Sequence, residues 1–225
     1  MLKKLIIKFK GFFPVKIKTY FKKFKTFNGY DGLDKRMLNY INFKNGFYIE
    51  CGANDGVNQS NTWYFEKKLG WKGLLIEPID TVFDELKKNR NKRNFFFQRA
   101  LRPFNYKNKN VELKLDIKDT LSTRSTIDNV DTRVKIQVKS ANLNSILNEI
   151  EAPKIIDFFS LDVEGDEFQV LKGISFKKYT FRYILVETYE LNKLKNYLNK
   201  NGYKYVKKMS NRNDHLFKSI KNNLK

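Results

Sequence analysis

A chain of 225 residues is long enough to bury one sizeable core, and its 41% hydrophobic and 15% aromatic content excludes a disordered or low-complexity protein. A single cysteine excludes an internal disulfide and a cysteine-based zinc site, and suits a reducing, cytoplasmic setting. The net charge of +21 suggests nucleic acid, but its distribution along the chain argues against that partner.

Residues 1–28 carry nine lysines and no acid, interleaved with Leu5, Ile6, Ile7, Phe9, Phe12 and Phe13. A basic segment with an apolar face is expected either to lie on an anionic membrane surface or acidic partner, which would make the protein peripheral there, or to form an arm packed on the domain or a solvated tail. No apolar stretch is long enough to span a bilayer, Lys8 and Lys10 interrupt the apolar region a signal peptide needs, and Pro14 divides the segment in two. Residues 29–225 read as a single domain.

Residues 30–43 have helical spacing, with Leu33, Met37, Leu38 and Ile41 on one face. Phe47-Tyr48-Ile49-Glu50-Cys51 then reads as a buried parallel strand that breaks into Gly52-Ala53-Asn54-Asp55-Gly56. The two glycines allow a tight turn and close approach to a ligand, in the place where open α/β sheets bind nucleotide-like molecules. Neither phosphate-cradling glycine pattern is present. That disfavours dinucleotides and nucleoside triphosphates, and points to a nucleoside without phosphates, S-adenosylmethionine. Cys51 reads as packing beside the ligand, because no histidine lies near it to activate a nucleophile.

Ser60 and Asn61 can cap a helix that runs to Leu69 and closes at Gly70. Residues 72–77 form a second buried strand ending at Glu77 and stopped by Pro78, followed by a helix over 80–89 and a third strand at 95–98. Residues 102–132 are the least regular, although 111–115 alternate as an exposed strand would, and 133–139 do the same. A helix over 143–150 leads to a fourth parallel strand, 155–162, ending at Asp162. A helix over 165–171, a fifth strand over 183–187 ending at Glu187, a helix over 191–201 and an antiparallel hairpin of 203–207 with 215–218 complete the chain.

This order predicts an α/β protein with a Rossmann-like, mostly parallel sheet, helices on both faces and a C-terminal antiparallel hairpin. Glu50, Glu77, Asp162 and Glu187 would then line one edge of the sheet as an acidic crevice. Glu77 is placed to accept both ribose hydroxyls, and Glu50 with the amides of 52–56 to hold the amino-acid end of the cofactor. Asp162 or Glu164 suits a general base, and Asp162 with Glu187 a divalent cation, Mg or Mn. Asp166 and Glu167 suit a helix N-terminus. His215, the single histidine, is a further candidate base.

At Tyr48-Ile49-Glu50-Cys51-Gly52-Ala53-Asn54-Asp55-Gly56, Ile76-Glu77-Pro78, and Ser160-Leu161-Asp162-Val163-Glu164-Gly165-Asp166-Glu167 the chain resembles the FkbM-type methyltransferase family, within the Rossmann-like class I enzymes. The resemblance spans about 47–217 and leaves 1–28 outside it; Glu50 stands where aspartate is common. It implies S-adenosylmethionine-dependent O-methyl transfer, commonly to a sugar or glycan hydroxyl. It also implies cofactor contacts from Glu50, Gly52, Ala53, Asn54, Gly56, Glu77 and Pro78. Acceptor specificity is expected within 102–132, where Tyr106 and Arg124 lie, at Arg133, and near His215.

Overall fold

The computed structural model describes residues 26–116, 123–124 and 133–221. In chain order these form a 3-10 turn Tyr30–Gly32, α1 (Leu33–Met37), β1 (Phe47–Cys51), α2 (Trp63–Leu69), β2 (Lys72–Ile76), α3 (Asp80–Asn89), β3 (Phe95–Phe97) and β4 (Ala100–Leu101). There follow β5 (Asn110–Asp116), β6 (Thr123–Arg124), β7 (Arg133–Ala141), α4 (Leu143–Glu149), β8 (Ile155–Leu161), α5 (Glu167–Leu171), β9 (Thr180–Glu187), α6 (Leu191–Lys200), β10 (Tyr203–Lys208) and β11 (Asp214–Ser219).

Seven strands build the main sheet in the order β10-β11-β9-β8-β1-β2-β3. The run from β9 to β3 is parallel throughout, while β11 runs antiparallel to both β9 and β10. The expected Rossmann-like architecture and its terminal hairpin are therefore present. The chain leaves β1 toward β2 and β3 on one side, and later returns to place β8 on the other. The carboxyl ends of β1 and β8 thus flank the topological switch point, where open sheets leave a crevice.

The pleat sends alternate residues of each strand to opposite faces. Ile49 and Cys51 join a core with Leu147 of α4, Val170 of α5 and Leu198 of α6. Tyr48 joins a second core with Met37 of α1, Phe65 of α2 and Leu86 of α3. Helices α4 to α6 therefore cover one face and α1 to α3 the other.

Two local readings change. The helix expected over 30–43 is shortened to α1, because Asp31 and Gly32 take left-handed φ values of 50° and 71° and residues 38–40 continue only as turns. Met37 and Ile41 are still buried, so the periodicity reported the burial and overstated the helix. The irregular stretch after 102 forms a second sheet, β4-β7-β5-β6, in which Val111, Leu113 and Val138 bury a small core with Ala100. Strands β5 and β7 are thus half-buried, not exposed.

Most of the basic segment, residues 1–25, lies outside the described residues, and its membrane-surface reading with it. The end of that segment packs on the domain: Phe27 stacks on Tyr64 of α2 at 4.6 Å. No helix among the described residues is long and apolar enough to cross a membrane.

Candidate active site

A cleft opens at the carboxyl ends of β1, β2 and β8. Cys51, Gly52, Glu77, Pro78 and Asp162 line it from the strand ends, and Arg102 and Asp166 from the connections above. Three residues given to the cofactor by the sequence, Gly52, Glu77 and Pro78, thus meet around one space. The thiol of Cys51 is buried, which pushes its pKa well up and leaves it an inert part of the wall.

Glu77 is the first residue beyond β2 and is 5% exposed. Its carboxylate accepts the Asn54 N–H and the Ile79 N–H, each at 3.0 Å. Burial raises its pKa to about 7 against the pull of those two bonds. Each oxygen keeps acceptor capacity beyond its one backbone bond, so the group suits a pair of neighbouring hydroxyls.

The turn after β1 is built differently from the expectation. The Gly52 and Ala53 amides both donate to the Ile76 carbonyl, and the Asn54 amide to Glu77. The Asp55 amide donates to the Asn54 side chain and the Gly56 amide to the Ala53 carbonyl. Every amide from 52 to 56 therefore has a partner within the protein, and none is left over for an amino-acid end. Ala53, Asn54 and Gly56 shape the loop and do not line the cleft.

Glu50 is likewise placed elsewhere. It lies one residue before the end of β1, so the pleat turns its side chain to the face covered by α1 to α3. There it accepts hydrogen bonds from Ser60, from the Asn61 amide, from Thr62 and from Arg90. Arg90 is the hub of this buried network. Its Nε donates to Glu66 at 2.7 Å, one terminal nitrogen to Glu50, Ser60 and the Gly56 carbonyl, and the other to Tyr48 and Thr62. Burial alone would raise the pKa of Glu66, but the Arg90 charge and the bonds from Arg90, Lys67 and Asn91 outweigh it and hold the carboxyl near 2. Glu50 is therefore tied to the glycine turn indirectly, through Arg90, which holds the Gly56 carbonyl.

Asp162 is the first residue beyond β8, and its amide donates to the Cys51 carbonyl at 3.1 Å. Burial pushes its carboxyl well above the usual range, and the charges of Glu187, Glu164, Glu167 and Asp214 push it further. The carboxyls whose charges act on Asp162 are thus Glu187, Glu164, Glu167 and Asp214, and neither Glu50 nor Glu77 is among them. Asp214 opens β11 directly opposite Glu187, the last residue of β9. Its own pKa is raised by burial against a hydrogen bond from Ser210.

Glu164 stands in a tight turn with φ of 56°, next to Gly165 at 105°. Glu167 ties that turn by accepting the Val163 and Gly165 amides. Asp166 pairs with Arg102 at 2.6 Å across 64 residues of sequence. Among the described residues no three His, Cys, Asp or Glu side chains converge as a metal-ligand set.

His215 follows Asp214, and the pleat sends it to the opposite face. Its ring lies 3.4 Å from the Tyr205 hydroxyl, and its pKa is lowered by burial and by Lys208 and Lys195. It is outside the lining of the cleft and on the wrong face to reach Asp162. Asp214 was legible by applying the same alternation to 214–217; the Arg102–Asp166 pair had no local signal at all.

The architecture has solved counterparts. The METTL16 methyltransferase domain superposes with a TM-score of 0.51 at 16% identity, over 84% of this chain and 65% of that one. Methyltransferase FkbM from Methylobacillus flagellatus KT aligns with a TM-score of 0.49 at 15% identity, over 80% of this chain and 45% of that one. The chain spans less than two thirds of either neighbour, and at these identities the METTL16 likeness is one of fold. No curated protein matches the chain. The family of the methyltransferase FkbM domain does match, over residues 50–205. That span takes in Glu77, the turn between β8 and α5 and both sides of the cleft, and the chain belongs to the FkbM methyltransferase domain family.

Proposed function

We propose that the protein is an S-adenosylmethionine-dependent O-methyltransferase acting on a sugar or glycan hydroxyl. The observation that carries this reading is the meeting of Glu77 and Asp162, each the first residue beyond its strand, on one cleft at the switch point. The donor and acceptor set fits the cofactor: Glu77 offers carboxylate oxygens to a ribose, and a buried, unpartnered arginine Nε at Arg102 offers a donor. Membership of the FkbM family supports methyl transfer as the reaction class, and the carbohydrate hydroxyl is the acceptor that the sequence resemblance implies.

When bound, the cofactor supplies a sulfonium methyl group as electrophile. Glu77 orients the nucleoside, and the glycine turn held by Arg90 brings the β1 end close to the β8 end. Asp162 takes the proton of the acceptor hydroxyl as the oxygen–carbon bond forms and the sulfur–carbon bond breaks. Its raised proton affinity favours that transfer. The surrounding carboxyls also stabilise positive charge in the crevice.

Incubation with methyl-labelled S-adenosylmethionine and a panel of glycans, with and without a chelator, tests the reading. Label is expected on a glycan oxygen, and the chelator arm reports whether a metal ion takes part. Cofactor binding without transfer to any glycan hydroxyl would remove the assignment to carbohydrate.

A further inference from the structure

The amides of the glycine turn are all engaged within the protein and Glu50 is an acceptor held in a buried network, so neither supplies a donor to the carboxylate of the cofactor's amino-acid end. Arg102, on the same cleft, has a donor to give. Its Nε is buried with no hydrogen-bond partner in the protein. A buried unpaired donor costs free energy, and the residue that carries this one lines the cleft an anionic group would enter. The rest of the side chain is already fixed: one terminal nitrogen is bonded to Asp166 at 2.6 Å, and the guanidinium lies 5.7 Å from the Tyr106 ring.

Position adds to this. Arg99 follows β3, on the side of the cleft that faces β2, and donates to the Gln98 carbonyl. Arg102 instead reaches across to the turn between β8 and α5, over the switch point where Gly52 meets Asp162. An Arg–Asp pair presents a cation beside an anion, the complement of an α-amino acid in its zwitterionic form. We propose that Arg102, positioned by Asp166, binds the carboxylate of the amino-acid end of S-adenosylmethionine. This rests on the cofactor reading above, and it assigns to Arg102 the role that sequence gave to Glu50 and the loop amides.

Calorimetric titration of the full chain with S-adenosylhomocysteine, which carries the amino-acid end, and with 5′-methylthioadenosine, which lacks it, separates the possibilities. Wild type is expected to bind both, the first more tightly. Arg102→Gln should weaken S-adenosylhomocysteine by about 10- to 100-fold, the range of one charge-assisted hydrogen bond, and leave 5′-methylthioadenosine within about twofold. Arg102→Lys, which keeps the charge, should recover part of the loss. Equal weakening of both ligands, or none for S-adenosylhomocysteine, overturns the proposal. If wild type binds neither ligand, the cofactor reading itself fails. Should Arg102→Gln melt below the working temperature, the carboxyl methyl ester of S-adenosylhomocysteine replaces the variant. That ester should bind wild type more weakly by the same factor, and an ester that binds as well as the acid overturns the proposal.

Discussion

Gly52 lies so close to Asp162 that a Cβ added to it would stand far inside van der Waals contact with the Asp162 carbonyl oxygen. The Asp162 amide donates back to the Cys51 carbonyl, so the ends of β1 and β8 are locked to each other across the switch point. Gly52 also sits at φ of 76°, where a side chain is strained. Gly52→Ala should therefore cost about 2–5 kcal/mol, from left-handed backbone strain and overpacking against a backbone that cannot rotate away. The variant should also lose most affinity for S-adenosylhomocysteine at temperatures where it remains folded. Chemical denaturation and calorimetry on the same sample check both parts; wild-type stability in Gly52→Ala would show that the two strand ends can separate.

Glu77 predicts a pH dependence of binding. Its pKa is pushed up to about 7 by burial, and a ribose is best held by the ionised form, whose oxygens only accept. Affinity for S-adenosylhomocysteine, whose own charges do not change between pH 5.5 and 8, should be flat above about pH 7 and fall by up to about tenfold per unit below it. Binding near pH 7 should release protons, which calorimetry in buffers of different ionisation enthalpy reads directly. Glu77→Ala should remove most of the affinity at every pH. Retention of the pH dependence in Glu77→Ala would move the titrating group elsewhere.

Much of this site was legible in the sequence because strand ends and turns are local signals. Glu77 and Asp162 follow apolar runs that stop abruptly, and both stand at the cleft. Glu50 follows a similar run and does not, because it pairs in register with Leu75 and Ser160, two residues short of Glu77 and Asp162, and so lies within the sheet instead of beyond its end. The alternation of strand faces separates His215 from Asp214, where the rarer residue type drew the assignment away from its neighbour. Arg102 and Asp166 meet only through the fold, and neither segment carries a pattern that announces the other. The helix over 30–43 failed for a different reason: its apolar spacing was real, but Asp31 and Gly32 take backbone angles that no spacing reveals.

Arg90 predicts a large effect at a distance from the cleft. It is 3% exposed and donates to Glu50, Glu66, Tyr48, Ser60, Thr62 and the Gly56 carbonyl. Arg90→Met leaves two carboxylates buried without their cation, and should destabilise the domain by about 3–5 kcal/mol. The pair also sets an acid limit. Glu66 has a folded pKa near 2, below its ordinary value, so its contribution is present above about pH 4.5 and is lost as pH falls toward 2. Wild type should lose about 3 kcal/mol over that window from this group, and Arg90→Met should not show the loss. Urea denaturation across pH 3–7 measures both slopes, and parallel slopes in the two proteins would contradict the pairing.

Asp162 predicts how turnover responds to its neighbours. Asp162→Asn keeps the shape of the cleft and removes the proton acceptor, so S-adenosylhomocysteine should bind within a few-fold of wild type while methyl transfer falls by about 10²–10⁴. The reaction needs Asp162 ionised, and burial followed by the charges of Glu187, Glu164, Glu167 and Asp214 raises its pKa. Turnover should therefore rise with pH through that raised value. Removing a neighbouring charge lowers it, so Glu187→Gln and Asp214→Asn should each move the acid limb of the rate profile to lower pH. His215→Gln should leave the limb where it is, because the His215 ring lies on the other face beside Tyr205. A limb that follows His215→Gln and ignores Asp214→Asn would transfer the role of base from Asp162 to the histidine, and with it the choice of face on which the acceptor approaches.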